Sequence, residues 1–470
     1  MITRRGLLGG CLAGAAGTSP VAAAPIDARA LPEERLRAQV CVIGGGSGGI
    51  GAAVAAARGG ADVVLLERDA VLGGTSTTAW VHTWEPCVGA DGIARDLYGV
   101  MRGYPLGVVE GDYGKGTPRV GGSPLPFEPH ALIHAARRLL DATGRCRALF
   151  DTTFSATRVT GEKIAAVEAW FRGKRLLVEA DVFIDCTADG DVCVDAGCNF
   201  HLGEDPKSRY GEPNAPAKAQ PVLNSCTLVY RVTDTGTPQK PVLPKGVKEG
   251  SCPQPVCIRR LPNGDHLMNV VGMIEGDATV LTDYGRLLRD AHGRVLAHWQ
   301  WLQSLRPGSS RWNRLAGPKG YSTWTICGIA PRLGIRETRR IVTDYVLTEN
   351  DCRAGLRGQR HRDVIGVTDH AVDIHGSRHR LYEMPNGPYG VPLRCLLPKG
   401  PANLMIASRA GGFSHIAASS CRLSRTMITL GQAAGTAAAI CVRNRIPPRQ
   451  IDIAELRRAL RSQRVTVSVD

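Results

Sequence analysis

Six residues, Gly44-Gly45-Gly46-Ser47-Gly48-Gly49, constrain this chain more than any others. They follow a short β-type run, Gln39-Val40-Cys41-Val42-Ile43, and precede Ile50 to Gly60, whose composition is helical. The order is therefore strand, tight turn, helix. Gly44 permits the turn, Gly46 lets a ligand approach the backbone, and Gly49 lets the helix pack close to the strand. With Ser47 and Gly48, the start of the helix offers free N–H groups to an anionic group such as a pyrophosphate.

A GxGxxG by itself is weak in a chain with 56 glycines. Here a second buried strand, Asp62 to Leu66, follows the helix and ends at Glu67-Arg68, placing a carboxylate where a ribose hydroxyl needs an acceptor. An acid there suits an unphosphorylated ribose and would repel a 2′-phosphate. Leu72-Gly73-Gly74-Thr75-Ser76 comes only a few residues later. In FAD enzymes resembling glutathione reductase and fumarate reductase, such a Gly-Gly lets the backbone pass beside the cofactor, so the set points to FAD rather than NAD.

Further pieces lie far down the chain. Val178 to Ile184 reads as a strand followed by Asp185-Cys186-Thr187-Ala188-Asp189-Gly190-Asp191, similar to an "ATGDGD" segment with Ala188 in place of glycine. Ala402 to Arg409 reads as another short strand. It precedes Ser414-His415, Ser419 to Arg422 and a helix from Leu423 to Ile440. With Pro331 to Arg340 and Tyr389 to Pro398, these segments make the chain resemble the bacterial FAD-dependent oxidoreductases, distant relatives of the fumarate reductase flavoproteins.

The resemblance implies an α/β fold with a Rossmann-like, glutathione-reductase-like FAD-binding domain and an inserted α+β substrate or cap domain. The FAD-binding domain would be discontinuous, residues 39–200 and 325–470, with residues 201–324 as the cap. Substrate would then meet the flavin where the two face each other. The resemblance also implies that Asp189 and Arg409 contact the cofactor. It further implies that the C-terminal helix and Arg422 stabilise the negative charge that gathers on the flavin pyrimidine edge during reduction.

His415, just before that helix, is a candidate proton carrier or a purely structural histidine. His82, shortly after Gly73-Gly74, is expected near the flavin face. Fumarate reductase relatives carry a flavin-linked histidine in a comparable stretch, but the local sequence differs here. Arg332, Arg336, Arg339 and Arg340 could hold a carboxylate or phosphate, or with Glu337 could build a salt-bridged helix at a domain junction.

Other classes lose support. Lysine plus arginine exceed aspartate plus glutamate by 58 − 43 = 15, yet the arginines are scattered and aromatics are only 5%, too few for base-stacking platforms, so nucleic acid is not an expected partner. No apolar run reaches membrane-spanning length. The fifteen cysteines include no CxxC, so zinc-site and thioredoxin spacings are missing and no metal is expected. Cys252 and Cys257 could form a disulfide in their Pro-rich loop. HExxH and P-loop motifs are also missing.

Residues 1–30 read as a leader and linker: Arg4-Arg5, a weakly apolar stretch from Leu7 to Gly17 and small residues at Val21 to Ala24 resemble a twin-arginine export signal. A periplasmic or secreted location follows as an expectation. No second GxGxxG unit suggests a separate nicotinamide domain, so the expected reaction is hydride abstraction from a small-molecule substrate, with electrons passed to oxygen, a quinone or a redox protein. The alternatives are a reductase of the fumarate reductase type, and a lyase or isomerase in which FAD is structural or transiently reduced.

Overall fold

The computed structural model describes residues 32–109, 113, 123–240, 243–247, 256–309, 314–376 and 380–468. The segment expected to be a leader and Cys252 lie outside the described residues. The architecture is mixed α/β, organised by a seven-stranded sheet whose central strands are parallel.

Strand β1 (Glu33–Ile43) begins with alternating exposure and becomes buried on both faces towards its carboxyl end. From there Val40 and Val42 pack into one apolar layer, while Cys41 and Ile43 pack into the other. That period-2 division is what a strand covered on both sides requires. Helix α1 (Ser47–Arg58) covers the first layer with a run of alanines and returns the chain to β2 (Val63–Leu66), parallel to β1. β3 (Cys146–Leu149) extends the sheet beyond β2. β4 (Lys174–Asp185) lies along the other side of β1 for nearly its whole length.

The outer edge of β4 is shared. Its first half pairs antiparallel with Lys163–Phe171, and its last residues pair parallel with β5 (Leu404–Ile406). β1, β2, β4 and β5 thus end side by side, bringing segments more than 350 residues apart in sequence to one edge of the sheet.

The C-terminal helix α2 (Ser424–Asn444) is buried from Arg425 to Cys441 and crosses α1 in direct backbone contact. Small residues make this possible. A Cβ added at Gly431 would lie 2.0 Å from the Gly48 carbonyl oxygen, and one at Gly435 would lie 2.1 Å from that of Ala52. The expected helix Leu423 to Ile440 is therefore present, shifted by a residue at its start and extended at its end.

A second unit has its own apolar cluster. Its antiparallel sheet runs in the order Val256–Arg260, His266–Val270, Tyr230–Asp234, Trp324–Ile329, so its last strand continues past residue 324. The helix Tyr284–Ser304 packs onto it with Leu287, Ala291, Val295, Trp299 and Leu302, a stripe at helical spacing. Asp283 caps that helix by accepting from the Arg286 backbone N–H.

Pro331 to Arg340 is not a salt-bridged helix. The segment is extended and ends in the strand Arg340–Ile341, paired with Phe200–His201. Pro331 and Gly334 disfavour a helix, and the Gly334 backbone pairs with Thr227 instead. Among the described residues, no helix is long and apolar enough to cross a membrane.

Candidate functional site

A cavity of about 580 Å³ opens at the carboxyl ends of β1, β2, β4 and β5. Ligands of open parallel sheets bind at such strand ends, where loops leave the sheet and helix N-termini point back towards it. The walls include Gly44, Gly46, Ser47 and Gly48 after β1, Glu67 and Arg68 after β2, Cys186 to Asp189 after β4, and Ser408 and Arg409 after β5. Gly74 and Thr75 also line it, and Thr227, Cys257, Asn269 and Tyr284 of the second unit face it.

The glycines do different work. At Gly48 an added Cβ would sit 1.8 Å from the Ala407 carbonyl oxygen, and at Gly49 it would sit 1.8 Å from that of Gly44, so both permit close backbone packing. Gly49 itself does not line the cavity. Gly46, the residue capping α1, meets nothing within 4 Å and offers no side-chain cap to the helix. Its open side and the uncapped N–H groups behind it could hold an anion, as a cradle of backbone donors. Gly73 holds φ 107° in the turn beneath and donates to the Gly45 carbonyl, whereas Gly74 reaches the cavity wall.

Glu67 is buried, and its two carboxylate oxygens accept from the backbone N–H groups of Gly45 and Asp69. Burial raises its pKa, while those two N–H donors act in the opposite direction. Because a carboxylate has about four lone-pair sites, it can brace the glycine turn and still accept from a ligand hydroxyl.

After β4, buried Asp185 accepts from the Thr187 hydroxyl at 2.7 Å and from the Cys193 N–H at 2.9 Å, which folds the chain back sharply. Ala188 takes φ 68° in that turn, the left-handed region in which glycine is favoured. Asp189 is clamped by Arg409 at 2.7 Å and by the Thr338 hydroxyl at 2.8 Å. Burial would raise its pKa, but Arg409, Thr338 and Arg68 outweigh that and hold it low.

Neither expected histidine lines the cavity. His82 is buried with Nδ1 on the Phe127 carbonyl, and its ring stands edge-on to Phe127 at 6.0 Å. Burial pushes its pKa down to about 4, so it is neutral with the proton on Nδ1, since a carbonyl can only accept. Val81 and Thr83 on either side do line the cavity, whereas the His82 side chain turns inwards to Phe127. His415 belongs to a buried polar cluster: Nδ1 lies 2.9 Å from Glu337, Nε2 lies 3.5 Å from Glu204, and its backbone N–H donates to Asp205. Arg340 joins Glu337 and Asp205 in the same cluster, which ties the Phe200 and Arg340 segments together behind the cavity wall.

Arg422 does line the cavity, immediately before α2. Burial and then the nearby Arg336 charge lower its pKa to about 10. Beside it lies a pair that sequence reasoning missed: His375 Nε2 is 2.9 Å from Asp373 Oδ2, and both residues line the cavity. Burial, opposed by Asp373, holds His375 below the usual histidine value, so the ring is neutral near pH 7. Burial would raise Asp373, but His375 and Arg422 keep it ionised. The spacing Asp-x-His was the available signal, since residues two apart in extended backbone project to one side.

Solved structures with related chain traces are distant. A geranylgeranyl bacteriochlorophyll reductase-like protein from Thermoplasma acidophilum is 11% identical, covering 92% of this chain and 84% of that one at a TM-score of 0.47. A myxobacterial chondrochloren halogenase is 12% identical, covering 91% and 79% at 0.44. The p-nitrophenol 4-monooxygenase of Pseudomonas putida is 12% identical, covering 66% and 70% at 0.37. No curated protein matches. Residues 39–460, however, match the family described as FAD dependent oxidoreductase, and the chain belongs to that family: it is an FAD-dependent oxidoreductase.

Proposed function

We propose that this enzyme is a dehydrogenase or oxidase that removes a hydride and a proton from a small molecule held between the parallel sheet and the four-stranded unit, which acts as a cap. One observation carries the reading. A single cavity joins the glycine cradle and Glu67 to an Asp373–His375 pair contributed from the other end of the chain.

The residues present fit FAD. Gly46 leaves open space at an uncapped helix start for the pyrophosphate, supported by Ser47 and Gly48. Glu67, with Arg68 beside it, would hold the ribose, and Gly74, Thr75, Asp189 and Arg409 would line the path towards the ring. Arg422 and the start of α2 supply positive potential there: Arg422 Nε is buried without a protein partner. FAD supplies the two-electron acceptor.

The protein's own part is to exclude water, orient the substrate and take its proton. Neutral His375 is suited to that last task. Asp373 occupies Nε2, which fixes the ring and leaves Nδ1 as the proton-accepting atom. Electrons would then pass to oxygen, a quinone or a redox protein. The twin-arginine-like leader supports export to the periplasm or beyond with FAD already loaded.

The test is an anaerobic screen of small alcohols, amines and acids, read by loss of the visible flavin band. Bleaching with formation of an oxidised product supports the reading. Product without bleaching would favour a lyase or isomerase, and reoxidation of chemically reduced enzyme by an unsaturated substrate would favour a reductase.

A further inference from the structure

The four arginines between Pro331 and Ile341 have separate partners. Arg332 pairs with Asp69, Arg339 with Asp191 at 2.8 Å, and Arg340 with Asp205 at 2.9 Å and with Glu337. Arg336 is different. Its Nη1 donates to the Ser225 carbonyl at 2.8 Å, and among the described residues no carboxylate lies within ion-pair distance. It lines the cavity, and its electrostatic neighbours are Cys226, Asp373 and Cys257. It therefore stands where the cap meets the Asp373–His375 pair.

Arg422 has no carboxylate partner within ion-pair distance among the described residues either; Nη2 makes a long contact, 3.4 Å, with the Asp373 carbonyl. Each guanidinium is felt by the other or by the same acid: Arg336 depresses Arg422, and Asp373 acts on both. Arg336 and Arg422 thus face the cavity as cations without an ion-pair partner among the described residues, both under the influence of Asp373. Burying such a charge without a partner is costly, so the arrangement is satisfied by an anion that arrives with the ligand.

We infer that Arg336, assisted by Arg422, is the binding site for a carboxylate group on the substrate. This rests on the proposal that substrate occupies the cavity. A carboxylate matches the planar fork of a guanidinium, which it can meet through two parallel N–H···O bonds. Proton removal by His375 then occurs on a carbon or heteroatom near that carboxylate, so the substrate class is a small organic acid.

The experiment uses holoenzyme titrated with benzoate, acetate and inorganic phosphate, with benzamide and acetamide as neutral counterparts. Binding is read from the perturbed flavin spectrum and, independently of the flavin, from the melting temperature of the apoprotein. Each acid is expected to bind at least ten-fold tighter than its amide. Arg336→Met should erase that preference at unchanged FAD content, and Arg336→Lys should restore part of it. Equal binding of acid and amide by the unmodified enzyme, an undiminished preference in Arg336→Met, or tighter binding of phosphate than of either carboxylate overturns the assignment. Flavin bleaching by a neutral substrate while carboxylates fail to bind would sink the anion site and leave the dehydrogenase reading standing; carboxylate binding with no bleaching by any acid would do the reverse.

Discussion

Exchanging Gly46 and Gly48 for alanine, one at a time, separates cofactor binding from folding within a single turn. At Gly46 the backbone has φ −70° and ψ −168°, which alanine adopts freely, and the new methyl meets no protein atom within 4 Å. Apoprotein stability should change by less than about 1 kcal/mol, the usual range for exchanging these residues at a helix cap. The methyl would nevertheless stand in the space proposed for the pyrophosphate at the start of α1. Overpacking of this kind costs about 1–3 kcal/mol, which converts to a loss of FAD affinity of roughly 5- to 150-fold.

Gly48 should behave in the opposite way. Its Cβ would lie 1.8 Å from the Ala407 oxygen, well inside contact distance, so β5 or α1 must shift. Destabilisation should reach or exceed about 3 kcal/mol, with flavin lost as a consequence. Urea unfolding of the apoproteins, with FAD titration followed by fluorescence quenching, measures both quantities. If Gly46→Ala binds FAD as tightly as the unmodified chain, the cradle is misassigned. An unperturbed Gly48→Ala variant would show that the α1–β5 contact is looser than described.

Ala188→Gly should raise stability by about 0.5–1 kcal/mol in urea unfolding, because the left-handed strain relieved exceeds the added backbone entropy of glycine. His375→Asn should slow flavin reduction by about 10²-fold or more in anaerobic stopped flow while leaving FAD content intact. In the unmodified enzyme the same rate should fall only as pH drops through a value below the ordinary histidine pKa, since that pKa is depressed and the neutral ring is the active form. An acid limb above pH 6.5 would contradict this role.

His298, buried against the Tyr230 hydroxyl at 2.6 Å, has a folded pKa lowered to about 4 by burial. Unfolding therefore takes up a proton between about pH 6.5 and 4: its contribution is retained above pH 6.5 and lost on acidification. The stability difference between the unmodified chain and His298→Gln should accordingly shrink by about 2 kcal/mol from pH 7 to pH 5 in paired urea titrations.

The parts of the site visible in the sequence were those set by local geometry. The turn at Gly44 to Gly49, the acid at the end of β2 and the turn around Asp189 each declare themselves within a few residues, because backbone conformation demands particular residue types there. Side-chain direction does not declare itself in that way. His82 lies between two cavity-lining residues yet points inwards to Phe127, and His415 precedes Arg422 closely but serves a buried ionic cluster. Helical spacing of the arginines after Pro331 was misleading because Gly334 pairs with Thr227 in an extended segment. Asp373 and His375 went unnoticed because only the tertiary fold brings their segment to the cavity.

The contact between α1 and α2 also sets an order of events during synthesis. The glycine cradle leaves the ribosome early, but the helix packed against Gly48 and Ala52 is completed about 400 residues later. At roughly 5–20 residues per second, the first Gly-rich turn waits about 20–80 s for the helix that buttresses it. During that interval the nascent chain exposes the alanine face of α1 to any chaperone or misfolded neighbour. On the proposed reading FAD capture is thereby deferred until α2 has formed, so a truncation before Ser424 would leave the cradle present but unable to close around its cofactor.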